Sequence, residues 1–190
     1  MDKDTYLILT GRFQPLHYGH LNLLLEARKR FPDNPIIVCI IEKVYSESDK
    51  DTFTKDVLKF LPQNNQLPNW ERYMLLNYAI KGFDMLNEKT YIVFRSNPNI
   101  DWEESLIDLP DNRVWLFPKN VKENFDRQKK IDYLNRGENF IEIETYDYEN
   151  YHGSIFRDKL LSGKIDNLSF LPEWCHDYFI KECLKYYSNV

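Results

Sequence analysis

Tyr6-Leu7-Ile8-Leu9-Thr10-Gly11-Arg12-Phe13-Gln14-Pro15-Leu16-His17-Tyr18-Gly19-His20 is the stretch that decides the fold. Tyr6 to Thr10 is short, apolar and β-prone, the composition of a buried strand. From Gly19 to Arg30 the apolar positions Leu21, Leu24, Leu25 and Ala27 suit a helix. The strand therefore runs through a short turn into the start of a helix. Free N–H groups and the positive end of the macrodipole favour an anion there. Gly11 lets a ligand approach the backbone closely, and Pro15 stiffens the turn. His17 and His20 are three apart and share a face if both lie on the first turn. Two imidazoles aimed at one place add donors for phosphate oxygens. No third ligand at sensible spacing accompanies them, which disfavours a metal site.

Working outward, Phe31 to Pro35 reads as a turn, and Ile36 to Ile41 is apolar throughout, as a strand covered on both faces should be. Residues 42–68 are polar and irregular, a long loop or lid with room for a short helix near 54–61. Asn69 is placed to cap a helix running to about Met85. Further strands are expected at Tyr91–Phe94, Arg113–Phe117 and Phe140–Thr145. Helices are expected at Asp101–Ile107, Glu123–Tyr133, Ser154–Leu161 and Glu173–Tyr187. Alternating strands and helices predict an α/β fold, a Rossmann-like doubly wound parallel sheet. Such sheets bind ligands beyond the carboxyl ends of their strands, near the point where strand order reverses. Residues 1–190 are expected to form a single domain, with a helical C-terminal part from about 153 to 190.

Composition narrows the function. A formal net charge of −5 makes general binding to nucleic-acid backbones a poor fit, though a local basic pocket for one small anion remains open. Cys39, Cys175 and Cys183 are odd in number and lack CxxC spacing, against a disulfide framework or structural zinc. The longest aliphatic run, Ile36–Ile41, is far short of the ~20 residues a membrane helix needs. A reduced, cytoplasmic protein is expected, with no nucleic-acid or membrane partner.

A second candidate element is Tyr151-His152-Gly153-Ser154-Ile155-Phe156-Arg157. Ser154 is placed to N-cap a helix whose third position is Arg157, setting a guanidinium beside free helix N–H groups. A plain helix cap is the competing reading.

Gly11–His20 resembles the GRFxPxHxGH motif of the HxGH nucleotidyltransferase superfamily, in the version of the archaeal-type nicotinamide mononucleotide (NMN) adenylyltransferases. Gly153–Arg157 resembles the family's second motif, SG(T/S)xIR, with His152 where Ser is usual and Phe156 where Ile is usual. The resemblance implies that His17 and His20 contact the ATP phosphates and stabilise the transition state. It further implies that Arg12, with Gly11, Phe13 and Gly19, lies along the phosphates. Gly153, Ser154 and Arg157 would hold the β- and γ-phosphates. Asn99-Ile-Asp-Trp102 is similar to an Asn-x-x-Trp element whose Trp stacks on nicotinamide; a core tryptophan on a short helix is the competing reading. Asn120 sits where the family has Gly-Asn-Pro, though Lys119-Asn120-Val121 departs from it. Trp70-Glu-Arg72 resembles a helix start whose arginine reaches the nucleotide or pairs on the surface.

The implied reaction is NMN + ATP → NAD + pyrophosphate, with Mg²⁺ carried by the phosphates. Alternatives within the fold are FMN, phosphopantetheine, or cytidylyl transfer to a sugar or polyol phosphate. From another class comes a nucleotide-binding regulator without turnover. His176 and the tyrosine-rich last helix are expected to pack or to offer a homo-oligomer surface.

Overall fold

In the computed structural model, residues 1–42, 65–97, 102–119, 124–145, 153–165, 168 and 171–188 are described. Five parallel strands are present among them: β1 (Tyr6–Gly11), β2 (Ile36–Ile41), β3 (Thr90–Arg95), β4 (Arg113–Pro118) and β5 (Phe140–Ile143). Their spatial order is β3-β2-β1-β4-β5, so the chain winds outward from β1 to β3 and then returns to β4 on the other side. The switch point is the gap between the carboxyl ends of β1 and β4. The predicted doubly wound sheet is what forms.

Alternation sorts the side chains onto two faces. On one face Leu7, Leu9, Val38, Ile40 and Leu116 join the larger core. It is covered by α1 (Tyr18–Arg30), α2 (Asn69–Lys81), α3 (Asp84–Asn87), α6 (Gly153–Leu161) and α7 (His176–Tyr187). On the other face Ile8, Cys39, Trp115 and Phe117 pack under α4 (Trp102–Leu106) and α5 (Asn124–Asn135), where Tyr133 completes an aromatic cluster. The uniform burial of β2 follows: both its faces are roofed.

Both boundaries of α2 differ from the sequence reading. The helix expected to reach Met85 stops at Lys81, and a separate turn of helix follows at Asp84–Asn87. Gly82 follows it and makes room for Pro172: a Cβ on Gly82 would lie 2.3 Å from the proline Cγ. Asn69, expected as the cap, is inside the first turn, with Pro68 preceding the helix. Its Oδ1 accepts from the Arg72 guanidinium instead. The last helix meets its packing expectation, burying Phe179, Cys183 and Tyr187. No described helix is long and apolar enough to cross a membrane.

Candidate active site

The turn after β1 is built around Gln14. Its side-chain amide bonds both main-chain groups of Leu67: Nε2 donates to the carbonyl at 2.9 Å and Oε1 accepts from the N–H at 3.0 Å. The Tyr187 hydroxyl of α7 donates to the same Oε1 at 3.1 Å. The Gln14 carbonyl accepts from Arg157 Nη1 of α6 at 2.5 Å. One residue thus joins the first motif, the second motif, the segment before α2, and the last helix. Gly153 permits the approach, since a Cβ there would sit 3.1 Å from the Gln14 carbonyl oxygen.

His17 precedes α1 in extended backbone and His20 lies in its first turn. The imidazole rings are in contact, centroids 3.8 Å apart and tilted by 34°. Phe13 lies over His20 at 4.8 Å. His17 is buried and His20 half-buried, so His20 is the member that faces outward. Its Nδ1 accepts from the His17 main-chain N–H at 3.4 Å. The neutral ring therefore carries its proton on Nε2. Burial, and then the Arg12 guanidinium, push the His20 pKa down to about 3. At neutral pH His20 is a neutral hydrogen-bond donor.

Gly11 behaves differently from expectation. A Cβ there would meet the Phe13 ring at 2.9 Å, so the missing side chain makes room for Phe13 rather than for a ligand. Phe13 itself has φ of +51°, a left-handed conformation that folds its ring back over the strand end.

Arginines gather nearby. Arg72, 2% exposed, donates from Nη1 to the carbonyls of Arg12 at 2.8 Å and Ile41 at 2.7 Å. This guanidinium neither reaches outward nor pairs on the surface, as the sequence had suggested. It ties the end of β2 to the turn after β1. Burial holds its pKa down to about 10. The Arg157 guanidinium lies over the Tyr187 ring at 5.7 Å. Burial pushes the Tyr187 hydroxyl pKa up, while Arg157, Arg12 and Arg72 all pull against it. All three guanidiniums therefore act on one buried phenol. Arg12 Nη1 donates to Asn65 Oδ1 at 3.4 Å. Ser154 stands exposed in the first turn of α6, which starts at Gly153, one residue before the expected cap.

Trp102 stands apart, on the other face of the sheet. It meets Tyr133 edge-on at 4.9 Å and Trp115 at 6.0 Å, and Arg136 lies 4.6 Å above its ring. The face under Arg136 already holds a cation, so a second, pyridinium-like cation gains nothing there. Asn99, Asn120, His152 and residues 43–64 lie outside the described residues.

Sequence reasoning missed Gln14, Tyr187 and Lys129. Gln14 lies in the middle of the quoted motif, but its burial at 4% exposure and its three partners depend on distant segments. Lys129 of α5 donates to Thr10 Oγ1 at 2.8 Å, across the switch point, and nothing in its local pattern marks it.

The family model described as cytidylyltransferase-like matches residues 8–159, from β1 through most of α6. The chain belongs to that family. Among curated relatives it is 24% identical to the phosphopantetheine adenylyltransferase of Malacoplasma penetrans, over 78% of this chain and 97% of that one. It is 23% identical to the nicotinamide-nucleotide adenylyltransferase of Picrophilus torridus, over 82% and 79%. It is 31% identical to the phosphonoformate cytidylyltransferase of Streptomyces viridochromogenes, over only 45% of each chain. Its fold is similar to that of a bifunctional NMN adenylyltransferase/ADP ribose pyrophosphatase from Francisella tularensis, solved with AMP and a manganese ion (TM-score 0.62, 15% identity). The match covers 98% of this chain and spans about half, 51%, of that protein. The chain is thus an adenylyltransferase-like nucleotidyltransferase, with the Rossmann-like sheet of that family.

Proposed function

We propose that this protein is a cytoplasmic adenylyltransferase that joins NMN and ATP to give NAD and pyrophosphate. The observation that carries the reading is the hydrogen bond from Arg157 to the Gln14 carbonyl. It brings the start of α6 against the turn that leads into His17 and His20, so the N-terminal ends of α1 and α6 are tied to one turn.

A 5′-phosphate oxygen of NMN attacks the α-phosphorus of ATP in line. A new P–O–P bond forms, the α–β bridging P–O bond breaks, and pyrophosphate leaves. The attacking phosphate is already largely ionised at neutral pH, so no general base is required. Catalysis is then positioning and charge stabilisation. His20 donates its Nε2–H to charge developing on the α-phosphoryl oxygens, and His17, stacked against it, fixes the ring. The low His20 pKa suits a donor that gives no proton away. Arg157 and the exposed amides beside Ser154 hold the departing pyrophosphate, with Arg12 assisting. Arg72 positions Arg12 through its carbonyl. ATP would act as its magnesium complex, the ion carried by the triphosphate.

Purified protein given NMN, ATP and Mg²⁺ should form NAD and pyrophosphate, and His20→Ala should cut turnover by orders of magnitude with the fold retained. No NAD from any pyridine mononucleotide would refute the substrate. The near-complete coverage of a phosphopantetheine adenylyltransferase favours phosphopantetheine as the second acceptor to try.

A further inference from the structure

A nucleotidyl transfer brings two anions to one crevice, and the residues of the two motifs serve only one wall of it. His17, His20 and Arg157 all belong to the α1–α6 side of the sheet. The other wall, formed by the opposite face of the sheet with α4 and α5, carries its own pair.

Lys129 reaches from α5 to the carboxyl end of β1 and donates to Thr10 Oγ1 at 2.8 Å. Thr10 directly precedes Gly11 and Arg12, so this ammonium stands one residue from the first motif. Its setting is aromatic: Nζ lies 5.3 Å from the Phe117 ring centroid and 5.5 Å from that of Tyr133.

Arg95 closes β3. Strand alternation puts it on the same face as Val93, which packs in the Tyr133 cluster, and opposite the face of Ile92 and Phe94. One Nη1 donates to its neighbour's carbonyl, Phe94, at 2.8 Å. Its Nε is buried without a hydrogen-bond partner among the described residues. Between their strands lies Cys39, which pairs with Thr10 in the β1–β2 register and with Val93 in the β2–β3 register. Burial pushes the Cys39 thiol up to about 12, while Arg95 and Lys129 each pull it down. The two cations thus flank the carboxyl ends of β1 to β3, on the side away from α1.

We infer that Lys129 and Arg95 form the subsite that grips the phosphate monoester of the acceptor substrate. The inference rests on the nucleotidyltransferase reading above but not on NMN being the acceptor. Donor triphosphate and acceptor phosphate then enter from opposite faces of the sheet. Lys129, held at Thr10, sets where the attacking oxygen meets the donor.

The test is equilibrium binding by calorimetry with matched probes: NMN against nicotinamide riboside, 4′-phosphopantetheine against pantetheine, FMN against riboflavin, and ATP as the control. Each phosphate ester is compared with its phosphate-free partner in the wild type, Lys129→Met, Lys129→Arg and Arg95→Met. Methionine keeps the stem that packs on Phe117 and Tyr133, and melting temperature with ATP affinity checks the fold. The wild type should prefer at least one phosphate ester by tenfold or more, about the effect of one charge-assisted hydrogen bond. Lys129→Met and Arg95→Met should erase most of that preference with ATP affinity within about twofold, and Lys129→Arg should keep it. If NMN fails but another ester shows this dependence, the NMN reading falls and the subsite stands. If both methionine variants retain the preference, or lose ATP in equal measure, or the wild type prefers no phosphate ester, the subsite is overturned.

Discussion

Removing the Gln14 amide without removing its volume is the sharpest test of how the site is held together. Gln14→Leu leaves three buried groups without partners: the N–H and the carbonyl of Leu67, and the Tyr187 hydroxyl. Gln14 and Tyr187 are 4% and 3% exposed, so water does not simply replace the amide. An orphaned buried polar group costs about 1–3 kcal/mol, so the variant should lose about 3 kcal/mol or more. That is a large share of the ~5–15 kcal/mol typical of a domain. Tyr187→Phe in the wild type breaks one hydrogen bond and leaves Gln14 Oε1 its Leu67 partner, costing about 1 kcal/mol. In the Gln14→Leu background the same change removes an orphan rather than a bond. There it should cost nothing or recover about 1 kcal/mol, giving a coupling of about 1–2 kcal/mol. Urea unfolding of the four proteins, followed by circular dichroism with m-values compared, measures the cycle. If Tyr187→Phe costs the same in both backgrounds, the hydroxyl does not act through Gln14 and the account of the turn is wrong.

Two further outcomes follow from buried charge. The His20 pKa lies near 3 folded, against an ordinary value of 6.5, so the unfolded chain binds the extra proton between those values. Stability from the neutral ring is fully present above about pH 6.5 and is lost as pH falls toward 3. The difference in urea midpoint between the wild type and His20→Asn should therefore change across that window and stay flat above it; a flat difference throughout contradicts the desolvated ring. For Arg72, which fastens the carbonyls of Arg12 and Ile41, Arg72→Met should cost about 3 kcal/mol. Arg72→Lys should fail to restore it, since one ammonium cannot reproduce the planar fork. Full rescue by lysine in thermal unfolding would show that charge alone matters there.

The parts of this fold legible in sequence were those written in local pattern. The apolar runs at β1, β2 and β4 and the helical spacing after Gly19 carried the parallel α/β class, because parallel strands buried on both faces show themselves as unbroken apolar stretches. His17, His20 and Arg157 were legible because motif chemistry concentrates at strand-to-helix turns. What stayed hidden was set by distance along the chain. Gly82, which follows α2, makes room for Pro172 from far along the chain, which fills the space a Cβ would need. Gln14 reads as one polar residue among several until Leu67 and Tyr187 arrive beside it. Gly11 misled for the same reason: a glycine announces that something comes close but not what, and here it is Phe13.

The way the arginines are held bears on how a chain of net charge −5 offers a phosphate site. Away from the site, Arg113 is locked to Glu138, which also accepts from Trp115 Nε1 at 2.7 Å; that cation is oriented and neutralised together. Near the candidate site Arg157 and Arg72 donate to main-chain carbonyls of Gln14, Arg12 and Ile41. A carbonyl dipole orients a guanidinium without cancelling its charge, so the field is kept for an incoming anion and little reorganisation remains when it binds. Replacing such a carbonyl by a carboxylate would gain a salt bridge and weaken phosphate binding. An acidic surface average and the proposed cationic crevice are thus compatible because the partners held by each arginine differ.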